Sequence, residues 1–320
     1  MMHIKIERYV IPMKTYNPNH LFEPGKDEIV YKRVNSVNTI KYNENEDHGL
    51  LDATSATPFI HFPNLDKIPF IRHGFSTRLG GASKEYFSTL NLSFARGDEE
   101  EAVIENYKRI TRAMGMEGQS LVFSDQVHDT LVHRVTKADV LEDFPYAKHL
   151  VGIDGLITNE TGLVLVTSYA DCVPLYFVDP VNKAIGLSHS GWKGTVGKIG
   201  KKTIEAMSNE FGTKPEEVIA VIGPSICFDC YEISENVATQ FMENFSDDIV
   251  RQILYYKGMG KYHLDLWLTN KHILMEAGVK ESNIANSNIC TNCNSSLLFS
   301  HRASGGKRGN LAAFLSIADN

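Results

Sequence analysis

The sequence predicts an α/β (α+β) sandwich, in which mixed β-sheets are covered by helices within a single large domain. The first observation is a set of short, nearly continuous apolar runs, which are typical of strands buried on both faces. The second is a set of longer segments with apolar residues at helical spacing, which lie between and after those runs. The third is size, because 320 residues of which 42% are hydrophobic can bury a substantial core.

The amino-terminal part of the chain has the weaker pattern. Residues 1–60 contain polar clusters and are predicted to form short strands and loops appended to a domain that spans residues 61–320. Residues 71–81 begin like a strand and end in a glycine-rich turn. Residues 99–114 fit a helix, and strands are predicted after it, at 120–128 and 130–136.

The carboxy-terminal part alternates strands and helices more regularly. Strands are predicted at 163–169, 173–178, 184–188 and 218–222, and helices at 195–211, 234–245 and 265–277. Ser234 and Asp265 precede the last two helices and are predicted N-caps, because their side-chain oxygens can accept first-turn N–H groups. Residues 311–317 fit either a closing strand or a helix.

Composition excludes several classes of protein. The formal net charge of −7 argues against a nucleic-acid binder, which needs a basic face for phosphate contacts. No apolar run is long enough to cross a bilayer, and the first residues lack the apolar core of a secretory signal. The five cysteines are an odd number in a long chain, which does not suit a disulfide framework. We therefore expect a cytoplasmic protein without membrane or nucleic-acid partners, either a monomer or a small homo-oligomer.

Three residues predict a catalytic zinc site. Cys172 and His189 each lie beside an apolar strand-like run, and His128 lies upstream in the segment S-D-Q-V-H. Two imidazoles and a thiolate leave one coordination position for water or substrate, as catalytic zinc sites require. Asp171 is next to Cys172 and is a candidate to steer a ligand or carry a proton.

Two other interpretations of these residues remain open. The histidines can be hydrogen-bonded structural residues, with Cys172 a buried thiol. Alternatively, Cys172 is a nucleophile with His189 as its base, oriented by Asp171 or His128. The additional histidine favours the metal.

The segment H-S-G-W-K-G-T predicts an oxyanion site at a strand-to-helix turn. Gly191 and Gly194 allow close backbone approach, and Lys193 adds a full positive charge to the helix start. The segment lacks the full pattern of a nucleotide triphosphate loop. A tight turn with a solvated lysine is the alternative.

Two further glycine-rich loops contain arginines suited to phosphate or carboxylate. Arg78 lies in the segment G-F-S-T-R-L-G-G, and Arg302 lies in the segment F-S-H-R-A-S-G-G-K-R-G-N. Ser76 is a candidate hydroxyl donor to the same substrate. Surface arginines without a ligand are the alternative interpretation.

Two C-x-x-C pairs raise the question of a second metal site. They are formed by Cys227 and Cys230 and by Cys290 and Cys293. A four-cysteine zinc site is one interpretation. The gap between the pairs is much longer than in compact zinc ribbons, which favours partly buried thiols instead.

Taken together, the motifs resemble the bacterial laccase-like polyphenol oxidase domain family, also described as zinc-dependent purine nucleoside phosphorylases. The matching segments are H-G-F-S-T-R-L-G-G, S-D-Q-V-H, D-G-L-I-T, Y-A-D-C-V-P-L, H-S-G-W-K-G-T, I-G-P-S-I with C-Y-E-I, and F-S-H-R-A-S-G-G-K-R-G-N. They cover about residues 65–320. Asp129 stands where the family commonly has glycine, and His301 where it often has tyrosine.

The resemblance implies a single α/β sandwich with zinc held by His128, Cys172 and His189. It also implies phosphorolysis of adenosine, inosine, guanosine and methylthioadenosine, together with deamination of adenosine. Purine nucleosides and phosphate are then the expected partners. Copper-dependent oxidation of phenols is the competing activity, although the H-x-H pairs of a multi-copper centre are missing from the sequence. A cysteine hydrolase acting on cell-wall precursors is another.

Overall fold

A computed structural model of the chain describes residues 31–34, 38–41, 49–140 and 150–318. Its strands are β1 (Tyr31–Val34), β2 (Asn38–Lys41), β3 (Leu50–Asp52), β4 (Phe59–His61), β5 (Ile71–Ser76), β6 (Ser120–Asp125), β7 (Val132–Arg134), β8 (Leu150–Val151), β9 (Gly155–Thr158), β10 (Leu163–Tyr169), β11 (Val173–Asp179), β12 (Ala184–Ser190), β13 (Ile219–Ile222), β14 (Glu232–Ser234), β15 (Leu254–Gly258), β16 (Lys261–Leu264), β17 (Ile284–Asn286) and β18 (Leu311–Ile317). Its helices are α1 (Pro63–Asp66), α2 (Glu100–Ala113), α3 (Trp192–Val196), α4 (Ile199–Phe211), α5 (Glu235–Asn244), α6 (Asp247–Ile253), α7 (Leu266–Glu276) and α8 (His301–Ser304).

Two large mixed sheets form the centre of the fold. The first has seven strands in the order β3-β4-β5-β18-β10-β6-β8, and the second has six in the order β17-β13-β11-β12-β9-β7. A three-stranded sheet, β14-β16-β15, and the hairpin of β1 and β2 are separate from them. The predicted α+β sandwich with mixed sheets in one domain is confirmed.

The two large sheets pack face to face and are covered by helices on their outer faces. Leu165 of β10 and Leu187 of β12 belong to the apolar cluster between the sheets. Tyr107 of α2 covers the outer face of the seven-stranded sheet. The helices α4 and α7 cover the other sheet, where Ile204 and Ile273 share a cluster with strand residues. The result is a four-layer arrangement.

Burial on both faces explains the continuous apolar runs. In β10, Leu165 faces the space between the sheets, whereas Val164 and Val166 face the layer of α2. A polar contact also crosses between the sheets, since the Tyr176 hydroxyl of β11 donates to the Gly74 carbonyl of β5 at 2.9 Å. Residues 311–317 form a strand, β18, in the middle of the seven-stranded sheet.

The prediction for residues 1–60 can be compared with the structure only in part, since residues 1–30, 35–37 and 42–48 lie outside the described residues. Strands β3 and β4 come from the predicted appended segment and its border, and both pair within the seven-stranded sheet. A domain boundary at residue 60 stays a prediction.

The predicted helix at 195–211 was wrong in its start. Helix α3 begins earlier, at Trp192, and α4 follows separately from Ile199. Lys198 between them has a left-handed backbone with φ 57°, which interrupts the α-helical hydrogen bonding. Of the two predicted caps, Asp265 accepts the Leu268 amide at 2.9 Å, whereas the Ser234 side chain makes no capping bond.

In the described part of the chain, no helix combines the length and the apolar character needed to span a membrane.

Candidate metal centre

The three predicted ligands meet where the chain crosses from one large sheet to the other. Cys172 lies in the short connection from β10 to β11, and His128 in the loop from β6 to β7. His189 lies near the end of β12, opposite Pro174 of β11 in the antiparallel register. The strand ends thus bring together side chains that are far apart in the sequence.

The geometry of the three ligand atoms suits a single ion. One nitrogen from each ring and the Cys172 sulfur all lie within 4.8 Å of one another. The Nε2 atom of His128 is 3.9 Å from the Cys172 Sγ. His189 is buried, Cys172 is partly exposed and His128 is exposed. The group is therefore open to solvent on the side of His128.

Asp154 organises this group, and the sequence analysis did not select it. Its completely buried carboxylate accepts the Nδ1–H of His189 at 2.7 Å. It also accepts the backbone N–H groups of Val127, His128 and Asp129 at 3.0 to 3.1 Å. The bond to Nδ1 leaves Nε2 of His189 for the ion, as in the carboxylate–histidine–metal arrangement of many metal sites. The sequence feature that could have identified Asp154 is its position directly before the buried strand β9.

The surroundings of Cys172 and His189 favour the charged forms of these two ligands. Burial would raise the pKa of the Cys172 thiol, but His189 and a hydrogen bond from His128 lower it to about 6. Burial would lower the pKa of His189, but Cys172 and Asp154 raise it to about 9. Both shifts favour the pair of a Cys172 thiolate and a cationic His189 at neutral pH. A thiolate is the form of cysteine that binds metals.

The absence of a side chain at Gly191 makes room for the three ligands. A Cβ atom at this position would lie 2.8 Å from the His128 ring carbon Cδ2 and 3.3 Å from the Cys172 Sγ. The backbone of the predicted glycine turn thus closes one side of the group. The donor set, its open side and this close approach together fit a metal ion.

We expect Gly191→Ala to weaken metal binding, because the new methyl group displaces His128. Overpacking of this kind costs about 1–3 kcal/mol, and here the strain falls on a ligand. Metal affinity is measured by competition with a chromogenic chelator. Gly194→Ala is the comparison, since its Cβ would approach the His189 carbonyl at 3.3 Å and has no ligand side chain among its three nearest atoms. Equal affinities for the two variants would contradict the expectation.

Asp171 is held in place by both of its carboxylate oxygens. Oδ1 accepts the Thr291 hydroxyl at 2.6 Å, and Oδ2 accepts the Arg302 amide at 2.7 Å. Its backbone is left-handed, with φ 86°, and His128 is also left-handed, with φ 65°. Strained residues of this kind cluster at functional sites. The predicted role of Asp171 as a proton carrier stays a prediction, and these contacts favour positioning of Cys172.

The other predicted substrate residues are in different surroundings. Lys193 is exposed, with its Nζ 5.7 Å from the centre of the Trp192 ring. Arg78 donates to the carbonyls of Ser88 and Ser295, and Arg302 to those of Cys230 and Glu232.

The hydroxyl of Ser76 does not face solvent. Ser76 is completely buried, and its Oγ accepts the Ala312 amide at 2.9 Å between β5 and β18. Its contact with substrate stays a prediction, but this position argues for a role in the sheet.

Arg308 is a second residue that the sequence analysis did not select. Burial and Arg96 lower the pKa of Arg308 to about 10, whereas Asp171 and Cys172 raise it in part. Its Nε atom is buried without a hydrogen-bond partner in the described structure. A positive charge with a free donor is therefore close enough to the candidate ligands to interact with them. Arg308 lies in G-G-K-R-G-N, the end of the glycine-rich segment from which the sequence analysis selected Arg302.

The C-x-x-C pairs are partly buried free thiols, as the sequence favoured, but they are not apart from one another. The structure brings Cys227, Cys230, Cys290 and Cys293 together, with all four sulfurs within 4.8 Å of one another. The long gap in sequence does not separate the pairs in space, because the strands β13 and β17 that precede them are neighbours in one sheet.

The chain is similar in sequence to proteins of a known family. Residues 72–318 match the family described as multi-copper polyphenol oxidoreductase laccase. The chain is 36% identical over 249 residues to purine nucleoside phosphorylase YlmD of Bacillus subtilis, which covers 77% of this chain and 88% of that protein. It is 33% identical over 254 residues to adenosine deaminase RL5 of an unknown prokaryotic organism, which covers 75% of this chain and 94% of that protein.

Solved structures agree with these similarities. The crystal structure of YlmD from Geobacillus stearothermophilus has a TM-score of 0.78 and 30% identity, with coverage of 86% of this chain and all of that one. The structure of Bacillus licheniformis YfiH has a TM-score of 0.78 and 32% identity, with 83% and 98% coverage.

Proposed function

This chain belongs to the multi-copper polyphenol oxidoreductase laccase family, and from this premise we propose that it is a zinc-dependent purine nucleoside phosphorylase with adenosine deaminase activity. The observation that carries the proposal is the solvent-open group of His128, Cys172 and His189. The names of the relatives, purine nucleoside phosphorylase and adenosine deaminase, support the choice of substrate. The proposed substrates are adenosine, inosine, guanosine and methylthioadenosine, together with phosphate.

Zinc is the proposed ion because of the donor set. Three nitrogen and sulfur ligands with an open fourth position are typical of catalytic zinc. When bound, zinc supplies a Lewis acid and a template for oxyanions. Copper is the alternative ion, and the family description mentions it. Among the described residues, the groups of three or more candidate ligands are this one and the four cysteines, which gives a single histidine-containing group where a multi-copper centre needs several ligand groups.

The protein's own residues fix the ligands before substrate arrives. Asp154 holds the ring of His189 and the backbone of His128 at the same time, so one carboxylate sets two ligands. The buried environment strengthens these bonds relative to water. Such preorganisation avoids reorientation of the ligands during the reaction.

Phosphate requires positive charge near the open side of the group. Lys193 is exposed in the first turn of α3, between Gly191 and Gly194, and Arg308 offers a buried donor without a partner in the described structure. We assign the phosphate to these two side chains. The guanidinium groups of Arg78 and Arg302 already donate to backbone carbonyls. These two side chains remain candidates for phosphate binding, but they would have to give up those hydrogen bonds.

The decisive assay incubates the purified, zinc-loaded protein with adenosine in the presence and absence of phosphate. We expect adenine and ribose 1-phosphate with phosphate, and inosine without it. Treatment with a chelator is expected to abolish both reactions, and re-addition of zinc to restore them. Conversion of adenosine at the same rate by chelated protein would contradict the proposal.

A cysteine hydrolase is the second candidate, and one observation favours it. The lowered pKa of Cys172 beside the cationic His189, with Asp154 bonded to that ring, resembles an activated nucleophile. In this arrangement His128 only supports the thiolate through its contact with the Cys172 Sγ. Inhibition of metal-free, active protein by iodoacetamide would favour the hydrolase, whereas dependence of activity on zinc would exclude it.

The cytoplasm is the proposed location. All five cysteines are free thiols in the structure, which suits a reducing compartment. A monomer or a small homo-oligomer stays the prediction for the assembly.

A further inference from the structure

The four cysteines outside the proposed active site form a compact group, here called the four-cysteine cluster. Its members are Cys227, Cys230, Cys290 and Cys293. All four sulfurs lie within 4.8 Å of one another, and the sulfurs of Cys230 and Cys293 are 3.6 Å apart. A tetrahedral zinc ion with Zn–S bonds of about 2.3 Å requires S···S distances of about 3.8 Å. The separations between the sulfurs of the cluster are therefore close to those of a zinc tetrathiolate site.

Turns in the backbone direct the sulfurs of each pair to the same side. The Cys230 amide donates to the Cys227 carbonyl at 3.1 Å, and the Asn294 amide donates to the Cys290 carbonyl at 3.1 Å. The two turns are joined by backbone pairing of Ser225 with Cys290. The two cysteine pairs are thus held face to face by the main chain.

The sulfurs also accept hydrogen bonds in the way that metal-bound thiolates do. The amides of Cys227 and Cys293 point at the Cys290 Sγ at 3.3 and 3.4 Å. The side-chain amide of Asn292 donates to the Cys230 Sγ at 3.2 Å. N–H donors of this kind stabilise the thiolate and orient it toward a metal.

We propose that the four-cysteine cluster binds a second zinc ion in a closed, structural tetrathiolate site. Four protein ligands leave no position for substrate, so the ion has no direct role in catalysis. An iron–sulfur cluster needs cysteine sulfurs much further apart than these.

The proposed ion clamps two loops that support the active site. Thr291, between the second pair of cysteines, donates to Asp171, and the Ile226 amide, next to the first pair, donates to the Asp171 carbonyl at 3.0 Å. The Cys230 carbonyl accepts from Arg302 at 2.9 Å. We infer that the second zinc fixes the backbone from which Cys172 reaches the first centre.

Metal content separates the two sites. In a Cys172→Ser variant the first centre loses its sulfur ligand, and we expect one tightly bound zinc per chain to remain by mass spectrometry of the acid-digested protein. The wild-type protein is expected to carry one more equivalent. Cobalt(II) loaded into Cys172→Ser should give the intense absorption of a tetrahedral four-sulfur site. No retained metal, iron in place of zinc, or a cobalt spectrum without thiolate bands would overturn the proposal.

Alkylation of the folded wild-type protein covers the case in which variants of the cluster fail to fold. With zinc bound, we expect all four cysteines to resist iodoacetamide, and chelation to make the partly exposed Cys230 and Cys293 reactive. Rapid alkylation of these two thiols in zinc-loaded protein, or an intact mass showing a disulfide, would refute the site. Neither readout depends on nucleoside turnover, so failure of the proposed function leaves this test intact.

Discussion

Cys172→Ala is expected to remove metal from the proposed active site and to abolish both phosphorolysis and deamination. Loss of a residue that only hydrogen-bonds to a ligand weakens metal binding about 10- to 100-fold, and loss of a ligand should exceed that range. The variant also removes the anionic donor, because the pKa of Cys172 near 6 makes it a thiolate at neutral pH. Zinc content and both reaction rates are measured on the same preparation.

The matched control is Cys172→Asp, which returns a negative charge and an oxygen donor to the same position. We expect partial recovery of zinc binding with little recovery of activity. Circular dichroism of all forms checks folding. If Cys172→Ala keeps the wild-type zinc content at this centre and full activity, the assignment of the ligands is wrong.

Asp154→Asn is expected to lower both zinc affinity and the stability of the protein. In the native protein the backbone N–H groups of Val127 and Asp129 and the His189 ring all donate to the Asp154 carboxylate. An asparagine has one NH2 group in place of a carboxylate oxygen, and that NH2 group would face one of these donors and could not accept its hydrogen bond. Loss of a buried charged partner costs about 3–5 kcal/mol in unfolding free energy. Zinc affinity should fall about 10- to 100-fold. Chelator competition and denaturant unfolding measure the two effects.

Asp179→Asn is the control that separates these effects. Asp179 is also completely buried and accepts the amides of Val181 and Asn182, but it lies at the opposite end of β11 from Cys172. We expect this variant to lose stability and keep its zinc affinity. A similar loss of affinity in both variants would indicate a general effect of destabilisation rather than a specific role for Asp154.

The sequence could predict those helices and strands whose buried faces leave a clear pattern of apolar residues. Strand β10 was predicted at its observed bounds because both of its faces are covered, which makes the run continuously apolar. Helix α2 was predicted because one face packs on the sheet. The break at Lys198 was missed, since a left-handed lysine leaves no signal in hydrophobic spacing.

The site was predictable where chemistry is carried by rare residue types. His128, Cys172 and His189 could be selected because histidine and cysteine beside strand ends suggest a metal. Asp154 could not, because its importance comes from the donors that the fold directs at it. The four-cysteine site could be offered only as one of two interpretations for a related reason: Cys230 and Cys293 are 63 residues apart, and the pairing of β13 with β17 makes them neighbours.

The position of β18 has a consequence for the order of assembly during synthesis. This strand pairs with β5 on one side and β10 on the other, and in the described part of the chain it alone bridges those two strands. A ribosome must therefore translate about 240 residues after β5 before that strand gains its inner neighbour. Until then the nascent chain exposes two unpaired strand edges, which makes it a candidate client for chaperones that shield such edges.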